Sequence, residues 1–221
     1  MLILASASPR RRDLLARLGL PFDVVAPEID ESALTGRPER VARRLAAGKA
    51  RAVSGSRPDA TVLAADTVVA HRGVLLGKPR DAAEAEATLK RLRDRVHRVV
   101  TAVAVLPPAR THTRVAGARR GGRRPLVDHA VTRVTMRRYT DAEIAASIAR
   151  GDPFDKAGAY AIQDERLDPV ACWGGCYCNV VGLPLWMAAS LLRRAGLDIT
   201  HVNSADLLPQ CEGCLLALGV G

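Results

Sequence analysis

The sequence predicts an α/β fold, a mixed twisted sheet with flanking helices. Strand-like apolar runs alternate with amphipathic stretches along most of the chain. Several of those stretches open on a cap residue or a proline and close on a glycine. The composition is globular, with 48% hydrophobic and 25% charged residues, but only 3% are aromatic, so the core must be built from Leu, Val and Ala. A length of 221 residues suits one large domain or two small lobes, and neither a repeat nor a linker divides it.

Each element has its own signal. The apolar run 2–4 reads as a strand that breaks at Ser6-Ala7-Ser8. Helix 9–18 follows: Ser8 is a good N-cap, Pro9 has no N–H to leave unpaired in the first turn, and Gly19 stops it. A strand at 22–25 leads to a polar loop, and Pro38 opens helix 38–53. Strand 61–65 ends at Asp66, and 67–70 with 74–76 forms a hairpin around Arg72-Gly73. Asp81 caps a helix to about residue 93, with Glu84 three residues on as in a capping box. Strand 96–106 is the strongest, and Pro107-Pro108 ends it. The basic loop 107–126 precedes a half-buried strand at 130–138. Thr140 and Glu143 make a second capping box before helix 141–150. Strands at 159–162 and 180–181 and a helix over 184–195 complete the pattern, and residues 197–221 form a weakly patterned tail.

Bulk properties exclude some function classes. No run approaches the ~18–20 apolar residues of a membrane span, and Met1 leads straight into the first strand without a signal-peptide pattern. The expectation is a cytoplasmic protein that makes no membrane contact. A net charge of +10 attracts polyanions, nucleotides or nucleic acid, but much of the excess sits in the Gly- and Arg-rich segment 110–124. The cysteine count is odd, five, which argues against a disulfide framework.

Candidate chemistry gathers around phosphate. The N-terminus of helix 9–18 offers unpaired N–H groups and the positive end of a dipole, and Ser8, Arg10 and Arg11 surround it. Asp66, followed by Thr67, is a strand-end carboxylate, able to hold Mg²⁺ or take a proton from water. Lys49 continues the Val41–Leu45 stripe of one helix and either snorkels or reaches into a cleft. Lys78 is aimed by its neighbours Gly77 and Pro79. Glu31, in a loop, is a candidate second metal ligand. The stretch from Asp155 and Lys156 to Gln163 is rich in Gly and Ala, lets backbone approach a flat ligand, and ends on an amide able to read a pyrimidine edge.

Six segments together resemble the Maf family of nucleoside triphosphate pyrophosphatases. They are Ser6-Ala-Ser-Pro-Arg-Arg11, Ala65-Asp-Thr-Val-Val69, Gly77-Lys-Pro79, His97 through Val103, Asp155-Lys-Ala-Gly-Ala-Tyr160 ending at Gln163, and Asn179-Val-Val-Gly-Leu-Pro184. They occur in family order over about residues 2–190 of a single domain, 1–221. The resemblance implies two lobes around a cleft, as in the inosine-triphosphate pyrophosphatases. It implies cleavage between the α and β phosphates to a monophosphate and pyrophosphate, with a divalent cation (Mg or Mn). Asp66 corresponds to the proton acceptor, and Arg10, Thr67 and Gln163 to specificity positions. Glu31 and Asp66 correspond to metal ligands, and Ser8, Arg11, Lys49, Lys78 and Lys156 to substrate-binding residues. The Asp155–Tyr160 segment resembles the branch acting on dTTP and UTP. Where that family usually has Gly after the Gln, this chain has Asp164. The expected partner is a nucleoside triphosphate, nucleic acid is disfavoured, and a homodimer is left open.

Three other readings stand beside this one: a Maf-like pyrophosphatase with another, modified nucleotide; an inactive Maf-like protein that regulates division; and a zinc-stabilised basic module that binds nucleic acid. The last would use Cys172, Cys176 and Cys178 with Cys211 and Cys214. No aromatic platform for bases accompanies it.

Overall fold

The structure is a computed structural model that describes residues 1–29, 35–109, 123–199, 208 and 210. Seven strands form one sheet in the order β2-β1-β3-β5-β6-β7, with β4 also on β3. They are β1 (Leu2–Ala5), β2 (Phe22–Val25), β3 (Thr61–His71), β4 (Val74–Leu76), β5 (Val96–Leu106), β6 (Leu126–Met136) and β7 (Val170–Gly174). β1 runs parallel to β2 and β3, and every other pair is antiparallel. The helices are α1 (Pro9–Ala16), α2 (Pro38–Ser56), α3 (Ala82–Leu92), α4 (Asp141–Ala149), α5 (Tyr177–Val181) and α6 (Leu185–Arg194). The expected mixed sheet with flanking helices is what the chain forms.

Side chains alternate across a strand, and here both faces of β3 and β5 are covered. On one face Val62, Ala64 and Val68 pack against Val41, Leu45, Ala46 and Val53 of α2. On the other, Leu63 and Ala65 pack against Leu14 and Leu15 of α1 and Leu185, Ala188 and Leu192 of α6. A third cluster, with Leu76, Leu89, Leu92, Tyr139, Ile144 and Leu167, builds a second lobe on the far ends of β3 and β5. Each fully buried Leu contributes about 1.5–3 kcal/mol. Tyr139 is buried with its hydroxyl donating to the Leu89 carbonyl at 2.7 Å, which ties the approach to α4 onto α3.

Caps behave as expected. Ser8 accepts from the Arg11 N–H, Asp81 from the Glu84 N–H, and Thr140 with Glu143 forms a complete capping box. Glu84 departs from its box, accepting instead from the Arg80 backbone and guanidinium.

Four expectations are corrected, and one strand was not foreseen. β3 does not end at Asp66 but runs through it to His71. Residues 159–162 are not a strand: Ala157–Ala159 is a 3-10 turn in which Gly158 and Ala159 both have positive φ. Val180 and Val181 lie in the short helix α5. β7 had no sequence signal, because it is a mostly exposed strand whose pairing with β6 is wholly non-local. The strand expected at 130–138 begins earlier, at Leu126.

The arrangement around β3 makes the cleft. β5 covers one edge of β3 from residue 62 to residue 70. The other edge is shared: β1 pairs with residues 61–64 and β4 with residues 69–71. Among the described residues, therefore, no strand lies beside residues 65–68 on that edge. Asp66 and Thr67 lie in this opening, between the two lobes.

Candidate functional site

A cleft of about 360 Å³ opens at the gap in β3, a size within the ~300–1,000 Å³ of small-molecule sites. Its walls include Ser8, Arg10, Arg11, Lys49, Asp66, Thr67, Lys78, Lys156 and Gln163. Nine of the ten site residues expected from sequence are thus together; the tenth, Glu31, lies outside the described residues, as do Cys211 and Cys214. Consecutive strand residues point to opposite faces, so Asp66 and Thr67 border one cavity only because no strand flanks them there.

Asp66 faces α2. Lys49 reaches it from the buried side of that helix, with Nζ donating to Oδ1 at 2.5 Å. The two side chains are only 9% and 8% exposed. Such a pair is held by geometry and by mutual charge compensation rather than by solvent.

Thr67 faces the other way, into a hydrogen-bonded knot. Its hydroxyl accepts from Arg11 Nη2 at 3.0 Å and meets the Thr101 hydroxyl at 2.9 Å. Arg11 Nε donates to the Gly182 carbonyl at 2.9 Å, which fastens α1 to the end of α5. Gly182 has φ 129°, and a Cβ there would come within 3.4 Å of both Arg11 Nε and Thr67 Oγ1. Behind the knot, buried Asn179 accepts from the Thr101 N–H at 3.0 Å. Its amide donates to the Val99 carbonyl at 3.0 Å and to the Thr132 hydroxyl at 2.8 Å.

The opposite wall is cationic. Lys78 follows β4, and Lys156 precedes the 3-10 turn. The two loops are joined, since the Gly158 N–H donates to the Gly77 carbonyl at 3.0 Å. Gly158 has φ 75°, a backbone conformation that favours glycine, and a Cβ there would stand 3.0 Å from the Val69 side chain, which would have to give way. Asp155 is a cleft residue that sequence reasoning passed over, although it begins the stretch that holds Lys156. Its carboxylate accepts from Arg10 Nη1 at 3.1 Å and from Lys156 Nζ at 2.5 Å. Burial works against its charge, but Lys156 and Arg10 outweigh burial and hold the carboxyl below its ordinary range. Gln163 is exposed at the mouth. Asp164, in the place of the usual glycine, accepts from the N–H groups of Arg166 and Leu167, closing a turn that sends Leu167 into the second lobe.

The residues suit a hard divalent cation bound jointly with phosphates. Asp66 supplies a carboxylate in the cleft, and Mg²⁺ commonly takes one or two carboxylates plus substrate oxygens. Among the described residues no group of three or more His, Cys, Asp or Glu could hold a metal unaided. Cys178 is fully buried in the core and Cys172 is exposed. Among the described residues no helix is long and apolar enough to cross a membrane.

Fold and site define an α/β protein whose cationic cleft, set into the edge of its central strand, carries the buried carboxylate of Asp66. The chain belongs to the Maf family, whose model, described as Maf-like protein, matches residues 1–195. A dTTP/UTP pyrophosphatase of Thermomicrobium roseum is 55% identical over 218 residues, covering 98% of this chain and 94% of the relative. Those of Moorella thermoacetica and Myxococcus xanthus are each 47% identical; both alignments cover 90% of this chain, with 96% and 94% of the relatives. Among solved structures, a HAM1 protein from Coxiella burnetii aligns with a TM-score of 0.42 at 20% identity, over 62% of this chain and 73% of that one. That likeness is too loose to carry any assignment.

Proposed function

We propose that the protein hydrolyses dTTP and UTP to the monophosphate and pyrophosphate. The observation that carries this reading is the single cleft in which the Lys49–Asp66 pair faces Arg10, Lys78 and Lys156. Relatives alike over nearly the whole chain and named for that activity support it.

A triphosphate tail enters the cationic wall, where Lys78, Lys156, Arg10 and Arg11 with Ser8 meet its negative charge. Binding of phosphate oxygens by Arg10 and Lys156 releases them from Asp155. Asp66 accepts the proton of a water as its oxygen attacks the α-phosphorus. The bond from that phosphorus to the α–β bridging oxygen breaks, and pyrophosphate leaves. Lys49 holds Asp66 in place and compensates its charge. A divalent cation, Mg²⁺ or Mn²⁺, would be held by Asp66 with Glu31 and would supply charge stabilisation at the phosphoryl oxygens. Gln163, with Arg10 and Thr67, selects the base. A substrate drawn from the nucleotide pool puts the work in the cytoplasm.

A panel of nucleoside triphosphates with Mg²⁺ or Mn²⁺, read by pyrophosphate release, tests the reading. dTTP and UTP should be cleaved fastest, and Asp66→Asn should slow them by ~10²–10⁴-fold. Release of orthophosphate instead of pyrophosphate, or undiminished turnover by the variant, would contradict it.

A further inference from the structure

The Thr67 hydroxyl at the cleft and the Thr101 hydroxyl behind it are 2.9 Å apart, and their surroundings fix the direction of that hydrogen bond. A threonine hydroxyl has one hydrogen to give and two lone pairs with which to accept. Thr101, on β5, is fully buried, and its hydroxyl lies 2.8 Å from the backbone carbonyl of Asn179, which can only accept. That carbonyl finds no taker at the end of its own helix. The N–H groups of Gly182 and Leu183 both donate to the Cys178 carbonyl instead, and Pro184 has no N–H. The single hydrogen of Thr101 is therefore committed to Asn179. Thr67 must be the donor in the threonine pair and Thr101 the acceptor.

Asn179 is not free to turn and undo this. Its side-chain oxygen accepts from the Thr101 N–H, and its amide donates to the Val99 carbonyl and the Thr132 hydroxyl. Flipping the amide would set a nitrogen against the Thr101 N–H, donor against donor. Thr132 is fixed in turn, giving its hydrogen to the Cys176 carbonyl at 3.0 Å and accepting from the Cys176 N–H at 3.1 Å. The chain of hydrogen bonds runs one way, from Arg11 Nη2 through Thr67 and Thr101 to the Asn179 carbonyl.

What remains at the cleft is narrow. Thr67 has given its hydrogen to Thr101, and Arg11 fills one of its lone pairs at 3.0 Å. The other lone pair is all that this half-buried hydroxyl can offer to a molecule in the cleft it lines. The oxygens of an ionised phosphate tail carry no hydrogen, so Thr67 is mismatched to them. It matches a ligand N–H or O–H.

We propose that Thr101 is a positioning residue for base selection, which holds the Thr67 hydroxyl as an acceptor so that the cleft favours a pyrimidine whose ring N3 carries a hydrogen. Thymine and uracil have an N3–H. Cytosine has a bare lone pair at N3, and two lone pairs facing each other repel. The inference rests on the nucleotide reading above and extends it, giving a physical reason for preferring dTTP and UTP to CTP.

The test is calorimetric titration of the full-length protein, with Mg²⁺, by the non-hydrolysable α,β-methylene analogues of UTP and CTP. The unaltered protein should bind the UTP analogue about 10–100-fold more tightly. Thr101→Val frees the Thr67 hydrogen to turn toward the cleft. It should bring the ratio close to one, chiefly by tightening the CTP analogue. Thr101→Ser keeps the hydroxyl and should keep the ratio. Thr67→Val removes the acceptor without opening the buried chain, and should level the ratio by weakening the UTP analogue. No preference in the unaltered protein overturns the proposal. So does a Thr101→Val protein that keeps the ratio or loses both ligands equally, or a Thr67→Val protein that keeps the ratio. The expected preference in all four proteins, with no pyrophosphate released from UTP, would sink the cleavage reading and leave this one standing. Cleavage of UTP with a ratio that neither valine variant moves would do the reverse.

Discussion

At the scale of single residues, the cleft works by assigning each charge a partner. Lys49 serves Asp66, Asp155 serves both Arg10 and Lys156, and Arg11 serves Thr67 and the Gly182 carbonyl. The Lys49 position was legible because it continues an apolar stripe, which leaves a lysine only a snorkelling path or a cleft. Asp155 was not, because a carboxylate next to a lysine reads as ordinary surface until the fold brings Arg10 across 145 residues to meet it. Gln163 stands apart, exposed and free to face a base edge. Gln163→Ala should therefore change the ratio of kcat/KM between dTTP and purine triphosphates, by about tenfold. The same nucleotide panel checks it, and an equal loss for every nucleotide would remove Gln163 from base selection.

At the scale of elements, what sequence revealed and what it hid follow from range. Caps, prolines and a capping box act within four residues, so the helices α1, α2, α3, α4 and α6 were readable. Val180 and Val181 looked like a strand because β-branched residues favour one. They are helical because Asn179 spends its amide on the Thr101 N–H, the Val99 carbonyl and the Thr132 hydroxyl, which docks the short helix α5 against β5 and β6. The alanine-rich run ending at Ile162 looked like a strand for similar reasons, but the turn at Gly158 takes it. Asn179→Ala should leave two backbone groups of β5 unsatisfied and cost about 2–4 kcal/mol. Urea unfolding would show this as a lower midpoint with an unchanged slope, and a midpoint shift below half a kcal/mol would deny Asn179 its clamping role.

At the scale of the whole molecule, the second lobe hangs on a buried pair. His97 meets Tyr160 edge-on with ring centroids 5.4 Å apart. Burial, helped by the charge of His71, lowers the His97 imidazole to about 4 from its ordinary 6.5. Burial raises the Tyr160 hydroxyl well above its own ordinary range. The unfolded chain therefore binds a proton at His97 that the folded chain refuses between those two values. Stability is full above about pH 6.5 and falls as the pH drops toward 4, since protonation favours the unfolded state. The loss from His97 alone is about 2 kcal/mol between pH 7 and pH 5. Urea midpoints at the two pH values, compared with those of His97→Gln, would show a smaller fall in the variant. An equal fall would mean that His97 is not what titrates. The mixed sheet with flanking helices was foreseeable from the alternation of elements, and the two lobes from the family resemblance. The position of Asp66 in the middle of a long strand was not, because the pattern 61–65 then 67–70 does not say that one strand serves two different neighbours.

That sharing has a mechanical consequence. β1 carries the loop to α1 and β4 carries the loop to Lys78, yet both are zipped to the backbone of β3. If the halves open or close, the change must be absorbed in four residues, 65–68, whose far side is stitched to β5. The span between the two phosphate-facing walls is thus a ruler cut into one strand, and its divisions are peptide units rather than the give between two docked bodies.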